Sequence, residues 1–465
     1  MTITDCMLSL EEFIAVAKYG AKVEFAPEMI ETVRANRRLL DKFLEEGRII
    51  YGVTTGFGEN VRYTISPEDA NTLQENIVRT HSVAVGEPLD REQARAVMLM
   101  TILNDGKGHS GIRIETLDLI RQMLNLDIYP WAPGEGSVGY LGVEGHLAMA
   151  YIGEGKIYDH GELRPADEVL KKYGLAPLKL SYKEGLSMLN GTITVTAMAL
   201  LALYESVITM QNVEIAGALC YEALRGTDRE LDPRIHAAKK HDEQIAAANN
   251  LRRMLKGSQI CDKYRDAKVQ DGYVMRSMAH IHGAAKKLIS EAYEVIVNEM
   301  HSISDNPEIF AEGENDGVAL MCGNFDGSFV GAHADMLAMA AAIVGNVVER
   351  GTDRMVNRNL NDGLPAFLVS NPGLNSGFMI KHLAIPATID SISTCANQED
   401  PVSMAYYASK KALASMKKLQ YVTAIEFYVA LQAMDFLKPL EPSPVLGKLR
   451  SFVRETVPFV DNDRY

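Results

Sequence analysis

The sequence predicts a mainly α-helical fold, because its second half consists of long apolar stretches with few Gly and Pro residues. Residues 192–219 are rich in Ala, Leu and Met, and residues 336–349 form a second such stretch, so both are expected to be core helices. A third helix is predicted by steps of four, three and four, the spacing of one helix face, at Ile289, Tyr293, Ile296 and Met300.

The first part of the chain differs, since Gly and Pro punctuate it up to about residue 190. We therefore expect two domains, a loop-rich N-terminal domain over residues 1–190 and a central and C-terminal helical bundle over residues 191–465. Two irregular stretches interrupt the helical part, at residues 304–317 and 359–377. Long Gly-rich loops in a helical scaffold are often functional, although a plain helix connection is the alternative.

Composition and charge restrict the classes of partner. Of the 465 residues, 47% are hydrophobic and 23% are charged, which is ordinary for a soluble globular protein and far from a disordered one. The formal net charge of -14 argues against nucleic acid or a membrane surface as a partner, because both reward clustered Lys and Arg. A small anionic substrate needs only a local cationic pocket and is compatible with this charge.

The cysteines and the N-terminus indicate a cytoplasmic protein. Five cysteines are scattered without a CxxC pair or a Cys/His ligand spacing, which favours reduced thiols over disulfides and predicts no metal site. Residues 1–13 carry acidic residues and no basic flank before an apolar run, so no signal peptide is expected. The chain lacks a stretch of about 18 uninterrupted apolar residues, so no membrane span is expected.

Three polar residues of the first part are candidates for chemistry. Tyr51 opens the Gly/Thr loop YGVTTGFG, and its phenol would act as a general base if cations or helix N-termini lowered its pKa from about 10. The alternative is a tyrosine that packs a turn. His81 and Asn190 are single candidates, and each taken alone is more typical of a structural polar group.

Three segments of the helical part carry further candidates. In VQDGYVMRS, a spacing of three places Gln270, Tyr273 and Arg276 on one side of a helical turn, which suits a substrate carboxylate; a solvated helix face is the alternative. Lys381 follows an apolar run and is either a snorkelling residue or a pocket cation. Glu399 lies in the polar cluster NQED, which is either a helix cap or a site that holds an imidazole or moves a proton.

Nine segments together resemble the histidine, phenylalanine and tyrosine ammonia-lyase family, and they occur in the family's order from about residue 8 to about residue 440. The segments are YGVTTGFG, THSVAVGEPL, GSVG, IGEGK, GLSMLNGT, VQDGYVMR, CGNF, NSGFMI and NQEDPVSM. The resemblance implies an ammonia-lyase-like fold with an N-terminal catalytic domain and a long central helix bundle. It also implies a homotetramer whose active sites combine loops from several subunits.

The resemblance also implies roles for individual residues. Tyr51 matches the family's catalytic base. The pocket residues that the resemblance implies are, for the substrate carboxylate, Asn190, Tyr273 and Arg276; for the imidazole, His81 and Glu399; and, for the rest of the pocket, Gln270 and Phe325.

The main departure from the family lies at Leu141. Family members cyclise an Ala-Ser-Gly triplet into an electrophilic methylidene-imidazolone, and the matching residues here are Tyr140, Leu141 and Gly142. Leucine has no hydroxyl or thiol to eliminate, so we expect neither this prosthetic group nor another cofactor. Lys381 is a second departure, because the histidine branch usually has a small residue there, and the chain between Lys381 and Asn397 is shorter than usual.

Without the electrophile, the expected substrate is an imidazole betaine, whose quaternary ammonium departs as a neutral amine. The ergothionase branch of the family fits, since it lacks the prosthetic group and eliminates trimethylamine from ergothioneine to give thiourocanate. By this resemblance Tyr51, Lys381 and Glu399 are expected to be catalytic. Tyr140 either faces the trimethylammonium or fills the vacated space.

Two alternatives stay open. One is a lyase or isomerase of the same fold that acts on another imidazole betaine or histidine derivative. The other is a catalytically silent homologue that binds an imidazole ligand. Against the silent homologue, the chain retains a set of polar residues that cost stability when buried unless they are satisfied.

Overall fold

The computed structural model describes residues 1–313, 316–371, 374–375, 377–378 and 405–461. Two residues of the predicted site, Lys381 and Glu399, lie outside the described residues. The described chain is mainly α-helical, which confirms the predicted fold class. Its helices, in chain order, are α1 (Leu10–Ala17), α2 (Pro27–Glu45), α3 (Ala70–His81), α4 (Arg91–Asp105), α5 (Ile114–Leu126), α6 (Gly142–Tyr151), α7 (Ala166–Lys172), α8 (Glu184–Leu189), α9 (Ile193–Ala223), α10 (Pro233–Lys239), α11 (Asp242–Leu255), α12 (Gln259–Tyr264), α13 (Tyr273–Arg276), α14 (Met278–His301), α15 (Ser328–Val356), α16 (Ala405–Asp435) and α17 (Pro444–Arg454).

Short strands form four small sheets in the described part of the chain. β1 pairs with β2, β3 with β5, β4 with β6 and β6 with β7, and β8 with β9. The strands are β1 (Thr2–Ile3), β2 (Glu24–Phe25), β3 (Val85–Pro88), β4 (Ile128–Pro130), β5 (Pro133–Glu135), β6 (Lys156–Asp159), β7 (Glu162–Pro165), β8 (Glu308–Ala311) and β9 (Gly317–Leu320).

The chain divides into two compact units, each made of three separate stretches. The first contains Met1–Tyr204, Tyr293–Asp335 and, within Ala387–Leu413, the described residues from 405 onward. The second contains the described residues of Glu205–Ala292, Met336–Pro386 and Ala414–Tyr465. The chain passes from one unit to the other inside α9, α14, α15 and α16. In this division each unit combines stretches from different parts of the sequence, whereas the sequence analysis expected two consecutive domains with one boundary near residue 190. The two-domain boundary stays a prediction.

The three apolar stretches noted in the sequence lie in the long helices α9, α14 and α15, as predicted. Residues 193–203 of α9 are all buried, which explains why this stretch is apolar on every side. By length and composition alone, Glu184–Ala223 and Ser328–Val356 are apolar enough to cross a membrane. However, 78% of the apolar window in the first and 50% in the second is buried within the protein, so these windows are weak evidence for a span.

Local signals in the sequence start the helices of the first unit. Ser9 and Glu12 form a capping box at α1, Asp90 and Gln93 form another at α4, and α2 begins with Pro27. Helix α4 packs against α1 and α5 and is almost wholly buried along its second half. It therefore forms the centre of this unit's core.

The prediction that residues 304–317 are irregular is partly wrong, because this stretch contains strand β8. Strands β8 and β9 pair antiparallel, from Glu308 opposite Leu320 to Ala311 opposite Gly317. Ile309 anchors the hairpin, since it is fully buried in a cluster with residues of α2. A four-residue strand with one buried anchor is too short to show a period in the sequence.

Two helical glycines provide a matched test of this packing. A Cβ at Gly185 in α8 would clash with the carbonyl oxygen of Gln74, whereas a Cβ at Gly447 in α17 would meet its nearest atom at 3.6 Å. We expect Gly185→Ala to destabilise the protein by about 1–3 kcal/mol, because backbone must move to relieve the clash. Gly447→Ala is expected to stabilise it by up to about 1 kcal/mol, the gain in helix propensity. Thermal unfolding checks both, and a raised midpoint for Gly185→Ala would contradict the packing.

Candidate active site

A tight backbone turn precedes α6 and has Leu141 at its centre. Leu141 has φ 72 and ψ -49, and the Gly142 N–H donates to the carbonyl of Tyr140 at 3.0 Å. These values define a γ-turn of the rare type with positive φ. The turn is held from two directions, because the Leu141 N–H donates to the carbonyl of Leu189 at 3.1 Å and the Leu141 carbonyl accepts from Gly145 at 2.9 Å.

The residues of this turn do not fit the methylidene-imidazolone of the resembling family. That group needs a residue at position 141 whose β-carbon loses a hydroxyl or thiol, and the Leu141 side chain is a hydrocarbon. Tyr140 replaces the alanine of the triplet, and its side chain is only 7% exposed. The turn therefore lacks the side chain from which that group would be made.

Tyr140 and Phe325 form an aromatic pair beside the turn. Their ring centroids are 5.3 Å apart with an interplanar angle of 71°, an edge-to-face arrangement. The structure thus brings together two predicted site residues that are far apart in sequence.

Tyr51 lies in a turn that the surrounding residues hold tightly. Its hydroxyl oxygen accepts a hydrogen bond from the Gly58 N–H at 2.8 Å, and an N–H aimed at a phenolic oxygen favours negative charge there. Gly52 has φ 65, and a Cβ there would lie 2.7 Å from Leu186 of α8, so this position requires glycine. Gln74, which sequence reasoning missed, is fully buried and donates to the Gly52 carbonyl at 2.9 Å.

Asn190 ends α8 and is buried. Its side-chain amide donates to the carbonyl of Asn306 at 3.0 Å, and the Asn306 side chain accepts from the Cys322 N–H at 2.9 Å. A Cβ at the following Gly191 would lie 2.7 Å from the hydroxyl of Ser304. The close approach of these two segments fixes where Asn190 lies.

His81 is the last residue of α3 and is half-buried. Its Nδ1 lies 3.0 Å from the Ile77 carbonyl oxygen, which has no proton of its own and can only accept. In the neutral ring Nδ1 therefore carries the proton and Nε2 is the acceptor. The His81 backbone lies against α6, since a Cβ at Gly145 would meet it at 3.0 Å.

Gln270, Tyr273 and Arg276 converge within the second unit. Arg276 donates to the Gln270 side-chain oxygen at 2.6 Å, and its guanidinium lies 4.6 Å from the centroid of the Tyr273 ring. Gln270 precedes the short α13 and is not on the predicted helical turn, because the helix begins only at Tyr273. Tyr273 is 73% exposed, so this group is presented to solvent in the single chain.

Glu144 is a titratable group that sequence reasoning missed. It lies in the first turn of α6 and is almost completely buried, and its Oε1 accepts from the Thr194 N–H at 3.2 Å. Its Oε2 has no hydrogen-bond partner among the described residues. Burial raises the pKa of this carboxyl from 4.5 to about 7, although hydrogen bonds from Thr194 and from its own turn oppose the shift.

The raised pKa of Glu144 predicts how stability depends on pH. The folded protein holds this proton more tightly than the unfolded chain, so the contribution is fully present below pH 4.5 and is lost as the pH rises to about 7. The loss is about 3 kcal/mol, at about 1.4 kcal/mol for each pKa unit. Glu144→Gln lacks this titration, so we expect it to be more stable than the parent above pH 7 and equally stable below pH 4.5. Denaturant unfolding at both pH values checks this, and a constant difference would contradict it.

The described residues contain no group of three or more His, Cys, Asp or Glu side chains that could hold a metal ion.

Comparison with known proteins places the chain in a family. The model of the aromatic amino acid lyase family matches residues 8–455. Histidine ammonia-lyase of Streptococcus pyogenes serotype M18 is 39% identical over 477 residues, covering 98% of this chain and 91% of that relative. Histidine ammonia-lyase of Symbiobacterium thermophilum is 38% identical over 472 residues, covering 98% and 92%.

Solved structures show the same fold. Histidine ammonia-lyase from Trypanosoma cruzi superposes with a TM-score of 0.91 at 34% identity, over 100% of this chain and 90% of that chain. Ergothionase from Treponema denticola, in complex with desmethyl-ergothioneine sulfonic acid, superposes with a TM-score of 0.92 at 26% identity, over 100% and 95%. The resemblance and the ammonia-lyase-like fold predicted from the sequence are thus confirmed, and the family model together with the histidine ammonia-lyase relatives shows that the chain is a carbon–nitrogen lyase of the aromatic amino acid lyase family.

Proposed function

We propose that the protein is a cofactor-free lyase that eliminates trimethylamine from ergothioneine and yields thiourocanate. The observation that carries this proposal is Leu141, which occupies the turn where family members have the serine of the cyclising triplet. Because a hydrocarbon side chain has no hydroxyl to expel, the chain has no route to an electrophile that captures a primary amine. The substrate must therefore carry a nitrogen group that can leave without activation by such an electrophile.

A quaternary ammonium group meets this requirement. A base removes the β-proton, the carbon–carbon double bond forms, and the bond from the α-carbon to nitrogen breaks with its electron pair going to nitrogen. Trimethylamine leaves as a neutral molecule. An ordinary α-ammonium would instead lose its more acidic N–H proton to the same base, whereas a quaternary nitrogen has no N–H and keeps its charge.

Tyr51 is the proposed base. The N–H that Gly58 donates to its hydroxyl oxygen supports negative charge on that atom, which a base needs before it accepts a proton. Lys381 is the proposed cation that stabilises charge developing on the substrate, a role typically worth about 3–4 kcal/mol of barrier. Lys381 and Glu399, the proposed partner of the imidazole together with His81, lie outside the described residues.

Arg276 and Asn190 are proposed to bind the substrate carboxylate. The Arg276 guanidinium is already oriented, since it donates to Gln270 and stacks on Tyr273, and a planar guanidinium can bind a carboxylate through two parallel hydrogen bonds. Such preorientation lowers the entropy cost of binding.

The Tyr140 and Phe325 pair supports a cationic substrate. An aromatic face attracts a quaternary ammonium by roughly 0.5–2 kcal/mol, and the edge-to-face packing leaves each ring held in place. By the resemblance, Tyr140 matches the alanine of the cyclising triplet, a position expected to face the substrate amine. We therefore propose that Tyr140 faces the trimethylammonium.

The histidine ammonia-lyases at 38–39% identity favour a second candidate, a lyase or isomerase acting on another imidazole betaine or histidine derivative. It keeps the same imidazole-binding residues and differs in the substrate that they hold.

We also propose a cytoplasmic homotetramer. Exposed apolar side chains support self-association, among them Phe329 at 71% and Tyr421 at 75% exposure.

Incubation of the purified protein with ergothioneine, histidine betaine and histidine separates these candidates. We expect trimethylamine and the near-ultraviolet absorbance of a conjugated acrylate from ergothioneine, and no ammonia from histidine.

The intact mass of the protein is expected to equal that of the sequence, with no loss of two waters. Brisk ammonia release from histidine, or a mass lower by two waters, would contradict the proposal, and turnover of histidine betaine alone would favour the second candidate.

Substitutions test the roles of individual residues. Tyr51→Phe and Lys381→Met are each expected to lower kcat at least about 100-fold without unfolding the protein, because each removes one group that acts on the reacting atoms. Arg276→Ala is expected to raise KM, because a carboxylate that persists from substrate to transition state loses its cation, and to lower kcat as well, because the substrate is no longer oriented toward the base. Tyr63→Phe, an exposed phenol of the same loop region, is the control. Parent rates for both Tyr51→Phe and Lys381→Met would remove the mechanism.

A further inference from the structure

A fully buried ion pair joins Lys183 and Asp305 in the first unit. The Lys183 ammonium lies 2.5 Å from Asp305 Oδ2, and both side chains are 0% exposed. Ser187 completes the contact, since its hydroxyl accepts from Lys183 at 3.1 Å and donates to Asp305 Oδ2 at 3.1 Å. Lys183 takes part although its backbone has φ 71, a conformation that a lysine rarely adopts.

The pair is connected to Asn190 through the backbone that follows Asp305. The second Asp305 oxygen accepts from the Asn306 N–H at 2.6 Å, and the Asn306 carbonyl accepts the Asn190 side-chain amide. The Asn306 side chain in turn accepts from Cys322. Asn190 therefore donates to Asn306, and the backbone of Asn306 is itself bonded to the buried carboxylate of Asp305.

A second buried carboxylate, Asp105, lies in the same region. Its Oδ1 accepts from Asn104 at 3.0 Å and from the Ser110 hydroxyl at 3.1 Å, and its Oδ2 has no hydrogen-bond partner among the described residues. Asn104 also accepts from Ser304, whose hydroxyl accepts from the Thr192 N–H at 3.0 Å. These contacts connect Asp105 to Thr192, two residues after Asn190.

Asp105 has no ion-pair partner among the described residues, although the charge of Lys107 acts on it from nearby. Lys183 pairs with Asp305 alone among the described residues, and the nearby Lys107 ammonium donates to the carbonyls of Leu103 and Met300. An unpaired buried carboxylate is costly, so a proton on Asp105 is the cheaper state. Burial and the charge of Asp305 raise the pKa of Asp105, with Lys183 opposing. The neighbouring Cys6 thiol has its pKa raised to about 12 and so is neutral.

We infer that Lys183 and Asp305 are positioning residues that fix Asn190 for the substrate carboxylate, and that Asp105 is the neutral, replaceable acid of the same cluster. The role of Asn190 itself rests on the proposed function. The two acids differ in one respect that matters, because only Asp305 is both charged and bonded to the segment that holds Asn190.

The same substitution at the two acids tests this inference. Asp305→Asn strips Lys183 of its counter-ion, so we expect KM for the substrate to rise about 100-fold with a smaller change in kcat, the loss typical of a misplaced positioning group. Asp105→Asn replaces a neutral acid with a neutral amide of the same shape, so its kinetic constants are expected to stay within about threefold of the parent. Equal effects of the two substitutions would overturn the inference.

Hydrogen exchange gives a readout that needs no substrate. In Asp305→Asn, the backbone amides of residues 304–306 and 190–192 are expected to exchange at least about tenfold faster than in the parent. In Asp105→Asn, the same amides are expected to exchange at the parent rate. If no betaine is turned over, the proposed function fails while this comparison still decides the positioning claim. Should Asp305→Asn not fold, Ser187→Ala removes the hydroxyl that bonds both Lys183 and Asp305 and thereby loosens the pair, so residues 304–306 are expected to exchange faster than in the parent. Parent exchange at residues 304–306 in that variant would overturn the inference.

Discussion

The backbone turn at Leu141 is the constraint on which the site depends. A leucine with positive φ is held by hydrogen bonds to Leu189 and Gly145, so strain at one residue is offset by two helices that lie around it. The same turn sets the direction of Tyr140 and thereby its packing on Phe325. A hydrocarbon side chain at the centre of this turn sets the chemistry that the position can offer, while hydrogen bonds to the backbone on both sides set its geometry.

The six residues of α8 connect the parts of the site that lie in the first unit. Its N-terminal flank holds the Lys183 ion pair, its Leu186 N–H donates to Gln74 and so supports the loop of Tyr51, and its last carbonyl at Leu189 accepts from the turn. Asn190 follows directly. A short helix with almost no exposed surface thus acts as a rigid frame, which is what a constellation of separated side chains needs.

The sequence was sufficient for the fold class and the family, because long apolar helices and nine ordered motifs are local features. It also predicted Tyr140 and Phe325 as site residues, and the structure places their rings edge to face, although their role in the site stays a prediction. It did not reveal the pairing of Lys183 with Asp305, 122 positions apart, since each residue alone reads as an ordinary surface charge. Glu144 was missed for the same reason: only its depth of burial distinguishes it, and burial is a property of the folded chain.

A hydrocarbon at position 141 has a further consequence for life inside a cell. An enzyme that carries a built-in Michael acceptor is open to attack by glutathione, cyanide and other small nucleophiles, and it needs a chemical maturation step after translation. The saturated side chain of Leu141 offers such nucleophiles no atom to add to.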